Sequence, residues 1–196
     1  PNHALLFGIS ISLIGIILVS LLTNLNAGII TALSALFYTV IYTMVLKRRT
    51  PQNIVIGGLA GSTPPAIGWA AASNEIDVLL PWLMVATIFL WTPAHFWALS
   101  IDKLNDYKDA NFPMLPTQES YKRTSIFIGI YSCATVLTSL LLAPILQLGM
   151  VYLMLSFIFG LYLMYKSYQL YRKQIKAISY FVFSNTYLAV IFLSMV

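Results

Sequence analysis

A chain of 196 residues that is 59% hydrophobic and 9% charged, with a mean hydropathy of +0.83, is too apolar for a water-soluble domain and belongs in a bilayer. Its formal charge of +5 comes from cations in the connections between apolar runs or at the helix ends beside them. It is therefore a topology signal, not the basic, aromatic-lined groove of a nucleic-acid binder, and the lone Cys133 excludes a disulfide framework or a CxxC metal site.

Seven apolar runs follow one another, at 4–22, 27–46, 54–72, 79–101, 124–143, 149–166 and 177–196. Without water in the hydrocarbon, backbone runs of this length satisfy their hydrogen bonds internally as helices. The predicted fold is all-α, a polytopic transmembrane helical bundle. The first run begins almost at Pro1 with no basic-then-apolar leader ahead of it, and the chain is expected to be part of a longer protein.

Between the second and third runs lies the segment Lys47-Arg48-Arg49-Thr50-Pro51-Gln52-Asn53. Three adjacent cations at a membrane surface serve as a topology and headgroup anchor. Beside an apolar cavity they would instead clamp a diphosphate whose tail lies between helices. Thr50 and Asn53 flank a predicted helix start, where unpaired N–H groups also favour anions. The third run carries Gly57, Gly58, Gly61 and Gly68 around Pro64-Pro65. The glycines permit close helix approach, and the prolines break the helix at mid-membrane. Such a break needs tight packing or a cavity, and a bulky ligand in the bundle would explain it.

The fourth run and its continuation, WTPAHFWALSIDKLNDYKDANFPMLP over 91–116, hold the densest polar chemistry. On one helix His95, Asp102 and Asp106 would share a stripe, with His95 roughly 10 Å deeper than Asp102. Carboxylates at i and i+4 repel unless a cation lies between them, and Mg²⁺ accepts one or two carboxylates with water and phosphate oxygens. A solvated loop of mixed charge, with Lys103, Lys108 and Asp109, is the plainer alternative. His95 is either a hydrogen-bonded packing residue or a ligand. Trp91, Phe96 and Trp97 either wall a cavity, where their faces would stabilise a carbocation, or belong to an interfacial belt. Pro93 is expected to kink the helix just before the histidine.

The remaining runs are bordered by Lys122 and Arg123, then by Lys166, Arg172, Lys173 and Lys176. Every Lys and Arg thus lies in or beside three alternate connections, and 23–26, 73–78 and 144–148 contain none. The basic connections are expected to face the cytoplasm of a bacterial or archaeal cell, or the matrix side of a mitochondrial inner membrane.

Two blocks, LKRRTPQNIVIGGLAGSTPPAIGW (46–69) and WTPAHFWALSIDKLNDYKDANFPMLP (91–116), closely resemble the protohaem IX farnesyltransferases, or haem O synthases, of the UbiA superfamily of intramembrane prenyltransferases. Asp106 with Tyr107, Ala110 and Pro113-Met114-Leu115-Pro116 matches the family pattern directly, whereas Asp102 fits only the superfamily's wider D-x-x-x-D spacing. The resemblance implies a bundle of nine helices with two aspartate-rich loops facing each other across a central cavity. The residues 1–196 would form one prenyltransferase domain lacking the first two helices and the first aspartate-rich motif.

The reaction implied is transfer of farnesyl from farnesyl diphosphate to a vinyl group of haem B, giving haem O. Farnesyl diphosphate, haem B, the lipid bilayer and a downstream haem A synthase or oxidase assembly are the implied partners. Asp106 and Asp102 are expected to bind Mg²⁺, with Lys103 beside them in catalysis. Lys47, Arg48, Arg49, Asn53, Trp91, His95, Trp97, Tyr107 and Lys108 are expected to contact substrate. His95 would meet haem either as an axial ligand or through a propionate. A related enzyme prenylating a quinone precursor is the nearer alternative. A transporter is remoter, because its polar groups would cross the bundle and not gather on one side.

Overall fold

The computed structural model describes residues 2–145 and 147–195. Helix α1 spans Asn2–Leu22. Helix α2 (Leu25–Leu36) passes without interruption into a π-helical stretch, Phe37–Leu46. Then come α3 (Asn53–Ser62), α4 (Pro64–Ser73) and the long α5 (Leu79–Asp102). Two short helices, α6 (Leu104–Asp109) and α7 (Leu115–Gln118), precede α8 (Tyr121–Ile145), α9 (Met150–Tyr171) and α10 (Ala177–Leu193). No strand occurs among the described residues.

Five of these rods are long and apolar enough to cross a bilayer: α1, α2 with its π stretch, α5, α8 and α9. The other two predicted runs take different forms, since α10 is a shorter apolar helix of 17 residues and the third run is broken into α3 and α4. The break has a local cause. Pro64 has no N–H to offer the carbonyl of Ala60 four residues before it. Ser34 Oγ of α2 and Thr63 Oγ1 lie 3.0 and 2.9 Å from that carbonyl oxygen and 2.9 Å from each other. Their hydroxyl protons replace the missing donor at Ala60 O.

Helix α5 is the hub, packed against α3, α4, α8 and α10, while α8 and α9 pair and α9 also contacts α10. The interior is small and polar where helices touch. Ser132 pairs with Tyr180 Oη at 2.6 Å and Ser139 with Tyr187 Oη at 2.7 Å, clamping α8 to α10. Tyr152 Oη donates to the Ser139 carbonyl at 2.7 Å. In hydrocarbon such interhelical bonds take the part that apolar burial takes in water. Many large apolar side chains of α1, α8 and α9 point outward, as a lipid-facing surface requires, while Ile128, Leu142, Leu163 and Leu170 are buried inside.

Polar side chains tie off both ends. At one pole Asn24 accepts from Ala27 N, capping α2, and donates to Ala70 O at 2.6 Å, while Asn26 donates to Asn74 O. Asn74 ends α4 in the left-handed region, φ 61°, a conformation that asparagine tolerates. At the other pole Tyr121 Oη donates to Leu170 O at 2.7 Å, and Lys173 Nζ stands 5.0 Å from the Tyr121 ring centroid. The basic connections that begin at Lys47, Lys103 and Arg172 are gathered at this second pole.

Candidate functional site

At the basic pole α5 stops at Asp102. Lys103 leaves helical geometry (φ −101°, ψ 30°) and α6 restarts at Leu104. The continuous stripe expected for His95, Asp102 and Asp106 is therefore broken. The cause is that the helix ends where the sequence turns polar, so helical spacing does not extend across Lys103. Asp102 and Asp106 nevertheless line one solvent-open pocket of about 380 Å³ with Ile101, Lys103, Leu104 and Asn105. Lys103 Nζ lies 4.0 Å from Asp102 Oδ2, at the edge of ion-pair range and well exposed, so it offsets the repulsion weakly. Two carboxylates on a wet rim offer the hard oxygen donors that Mg²⁺ takes, with room for water to complete its shell. No group of three His, Cys, Asp or Glu gathers for a metal among the described residues.

A second pocket, about 280 Å³, adjoins this pole and is lined by Arg48, Tyr107, Lys108, Asn111, Phe112, Pro113, Thr117 and Gln118. Arg48, Tyr107 and Lys108 are thus brought together. Arg49 is exposed and lines neither pocket; the turn after the π stretch sends adjacent side chains different ways. Asn53 is fully buried and braces the pole: Nδ2 donates to Lys47 O at 3.3 Å and to Pro113 O at 3.2 Å. Its expected contact with substrate gives way to this brace, because both amide protons are taken. Its Oδ1 remains a buried acceptor without a partner.

Above these pockets, a third cavity of about 380 Å³ enters the helices between the π stretch, α3 and α5. Tyr38, Tyr42, Trp91 and Phe96 supply aromatic walls, with Ile54, Gly57, Gly58, Gly61, Ile88 and Thr92 between them. The glycines matter here through contact. A methyl added to Gly57 would overlap the Tyr42 ring, and one on Gly58 would come to 3.1 Å from Thr92 Cγ2. Lys47 Nζ joins this cavity to the polar pocket, standing 6.0 Å from the Tyr42 centroid and 5.8 Å from that of Phe112. An ammonium above ring faces is held by cation–π attraction while it keeps protons for another partner.

The three other aromatic or histidine expectations separate by helix face. Trp91 lines the cavity, and its Nε1 donates to Ser184 O on α10 at 2.9 Å. His95, one turn along, is 5% exposed and lies with its ring between Trp91 and Phe181, each centroid 4.1 Å away. Helix α5 runs unbroken through Pro93 to reach it. Trp97 corrects the expectation of a cavity wall: it is 1% exposed and packs edge-on against Tyr131 of α8, away from the cavity. An i, i+2 step on a helix turns the side chain far around the axis, so His95 and Trp97 face different neighbours.

Residues outside the sequence expectations complete the walls. Tyr38 and Tyr42 lie on the π stretch, whose Thr43 Oγ1 donates to Tyr38 O five residues back. No sequence signal marks that π-helix. Phe112 and Asn111 are carried by the turn after α6, where Asn111 takes φ 51°; a polar residue before Phe-Pro is a turn signal that was available.

The UbiA prenyltransferase family matches residues 1–194 as a family pattern. A protein named protoheme IX farnesyltransferase from Neorickettsia sennetsu is 40% identical over 192 residues, covering 98% of this chain and 63% of that protein. One of the same name from Synechocystis is 42% identical, covering 100% of this chain and 63% of the relative. Protoheme IX farnesyltransferase 1 of Pseudomonas putida KT2440 is 41% identical over 197 residues and covered to 66%. The chain therefore spans just under two thirds of the length of these curated relatives. No solved structure matches it.

Proposed function

The chain belongs to the UbiA prenyltransferase family, and from that premise we propose that it transfers farnesyl from farnesyl diphosphate to a vinyl group of haem B, giving haem O. It is an integral membrane protein, and in this reading the basic pole faces the cytoplasm or matrix. The observation that carries the reading is the position of Lys47, between an aromatic cavity and a cationic pocket. A prenyl diphosphate has the same division: an apolar chain, then a dense negative charge.

In this assignment the farnesyl chain lies along Tyr42, Gly57, Trp91 and Phe96, and the diphosphate meets Lys47, Arg48 and Lys108 at the mouth. Asp106 and Asp102 would hold Mg²⁺, which supplies charge neutralisation for the diphosphate leaving group. Lys103, beside Asp102, adds positive charge where negative charge develops on the departing oxygens. In this reading the ring faces of Trp91 and Tyr42 would supply electron density to an allylic cation in the cavity they line. As the carbon–oxygen bond to diphosphate breaks, the vinyl group of haem would give its π electrons to the allylic cation; water would then add to the cation left on the other vinyl carbon and lose a proton, leaving the hydroxyl.

The test is conversion of haem B to haem O, followed by chromatography and mass spectrometry, in membranes containing the full-length protein of which residues 1–196 would be part, farnesyl diphosphate and Mg²⁺. Asp106→Ala is expected to abolish the product without removing the protein from the membrane. Unmodified haem in the unsubstituted protein sinks the proposal. Prenylation of an aromatic quinone precursor in its place would favour the neighbouring branch of the family.

A further inference from the structure

Gly57, Gly58 and Gly61 share one face of α3 but differ in what stands where a side chain would be. At Gly57 that place is taken by the Tyr42 ring, and at Gly58 a methyl would come to 3.1 Å from Thr92 Cγ2. Close approach of neighbouring elements accounts for both. At Gly61 a Cβ would meet no atom of the described residues within 4 Å. Helix contact therefore does not explain this glycine, which is a poorer helix former than alanine.

The turn of α3 fixes where the open space lies. At 3.6 residues per turn, Gly61 projects about 40° round the axis from Gly57 and about 60° from Gly58, between the two. Gly57 faces Tyr42 of the π stretch and Gly58 faces Thr92 of α5, so Gly61 faces the gap between those elements. That gap is the aromatic cavity of about 380 Å³, which Gly61 lines with Tyr38, Ile54 and Ile88. Ile54 lies on the same stripe of α3, two turns and roughly 10 Å nearer the basic pole. The π stretch and α5 both run towards that pole, so Tyr38 and Ile88 stand with Gly61 at the remote end of the cavity. One residue further on α3 ends at Ser62, where Ser34 pins the Ala60 carbonyl to α2. A ligand held by its charged end at Lys47 would reach Gly61 with its apolar tip.

We propose that Gly61 selects the length of the prenyl donor: its missing side chain leaves the room that the third five-carbon unit of farnesyl takes, and a larger residue there would favour the shorter geranyl chain. This rests on the prenyl diphosphate reading given above. Length is then set at the opposite end of the cavity from the cations and carboxylates, so a change at Gly61 alters which chain binds and leaves the diphosphate contacts intact.

Binding measures this without turnover. The full-length protein of which residues 1–196 would be part, in lipid nanodiscs with Mg²⁺, is titrated with geranyl and farnesyl thiolodiphosphates, whose carbon–sulfur bond resists ionisation. The unsubstituted protein should hold the farnesyl compound more tightly. Gly61→Leu should weaken farnesyl binding at least about tenfold and leave geranyl binding unchanged. Gly61→Ala adds a single carbon to the open space and should show the same order with a smaller loss, which keeps a readout if the leucine variant does not fold. Gly68→Leu, on α4 and also with nothing within 4 Å of its Cβ position, should alter neither. Equal affinities for the two chains in the unsubstituted protein overturn the inference. So does an equal loss of both chains, or no loss of either, in the Gly61 variants. An unsubstituted protein that binds neither compound would refute the prenyl diphosphate reading itself. One that shows this selectivity at Gly61 yet makes no haem O would refute haem as the acceptor while supporting the role of Gly61.

Discussion

Replacing Asn53 by aspartate changes one atom type at the brace of the basic pole, and its consequence can be worked out with sign and size. Asn53 Nδ2 donates to two carbonyls, of Lys47 and Pro113, from a fully buried position. Asn53→Ala removes two bonds worth about 0.5–1.5 kcal/mol each, but it also removes the buried Oδ1 that has no partner. These effects oppose, so the alanine variant should lose about 1–2 kcal/mol. Asn53→Asp puts a carboxylate against two carbonyl oxygens with no donor present, a burial penalty of about 3–5 kcal/mol if it stays ionised.

The acid escapes by remaining protonated, which raises its folded pKa above the unfolded value of about 3.9. The folded state then binds more protons than the unfolded state, so stability falls as pH rises, by up to about 1.4 kcal/mol per unit, until the folded pKa is passed. Unfolding in detergent at intervals from pH 4 to 8, with amide exchange over residues 107–114, reads both the loss and its location. The aspartate variant should approach Asn53→Ala at the acid end and fall below it at neutral pH. A difference from the unsubstituted protein that does not change with pH would refute the burial and the donor count on which the reasoning stands.

Gly57→Ala should drive the Tyr42 ring into the aromatic cavity, raising KM for farnesyl diphosphate about tenfold, while Gly68→Ala, which meets nothing within 4 Å, should leave KM alone. Equal KM values in the two variants would place the prenyl chain elsewhere. Trp97→Phe should keep the packing on Tyr131 and discard an indole N–H that has no partner, with haem O formation retained. Trp97→Ala should cost about 3–5 kcal/mol of stability. A stable but inactive phenylalanine variant would return Trp97 to the substrate.

The apolar runs were legible because bilayer thickness imposes a length on them and hydrocarbon forbids charge. The Asn53–Pro113 contact was not, since it joins segments 60 residues apart whose meeting depends on how α3 and α5 pack. Asp102 and Asp106 were read on one helix because spacing rules assume that the helix continues, and sequence did not reveal that Lys103 would end it. Trp91 and Trp97 could not be told apart, because α5 is apolar around its whole circumference and has no hydrophobic stripe to orient it. Ser184 carried a readable signal: with Tyr180 and Tyr187 it forms a polar row at i, i+4 and i+7 within an apolar helix, a pattern that faces inward in membranes.

The serine and threonine at the α3–α4 break have a consequence for what the bundle can conduct. Transporters use an interrupted helix at mid-membrane because its freed carbonyls coordinate a cation that must bind and leave. Here the carbonyl that Pro64 frees is already occupied by Ser34 and Thr63. Their hydroxyls turn a potential ion-coordinating oxygen into an internal joint between α2 and α3. At Ala60 the interruption is therefore a bend in the bundle wall pinned from both sides by hydroxyls, and that oxygen is closed to a passing ion.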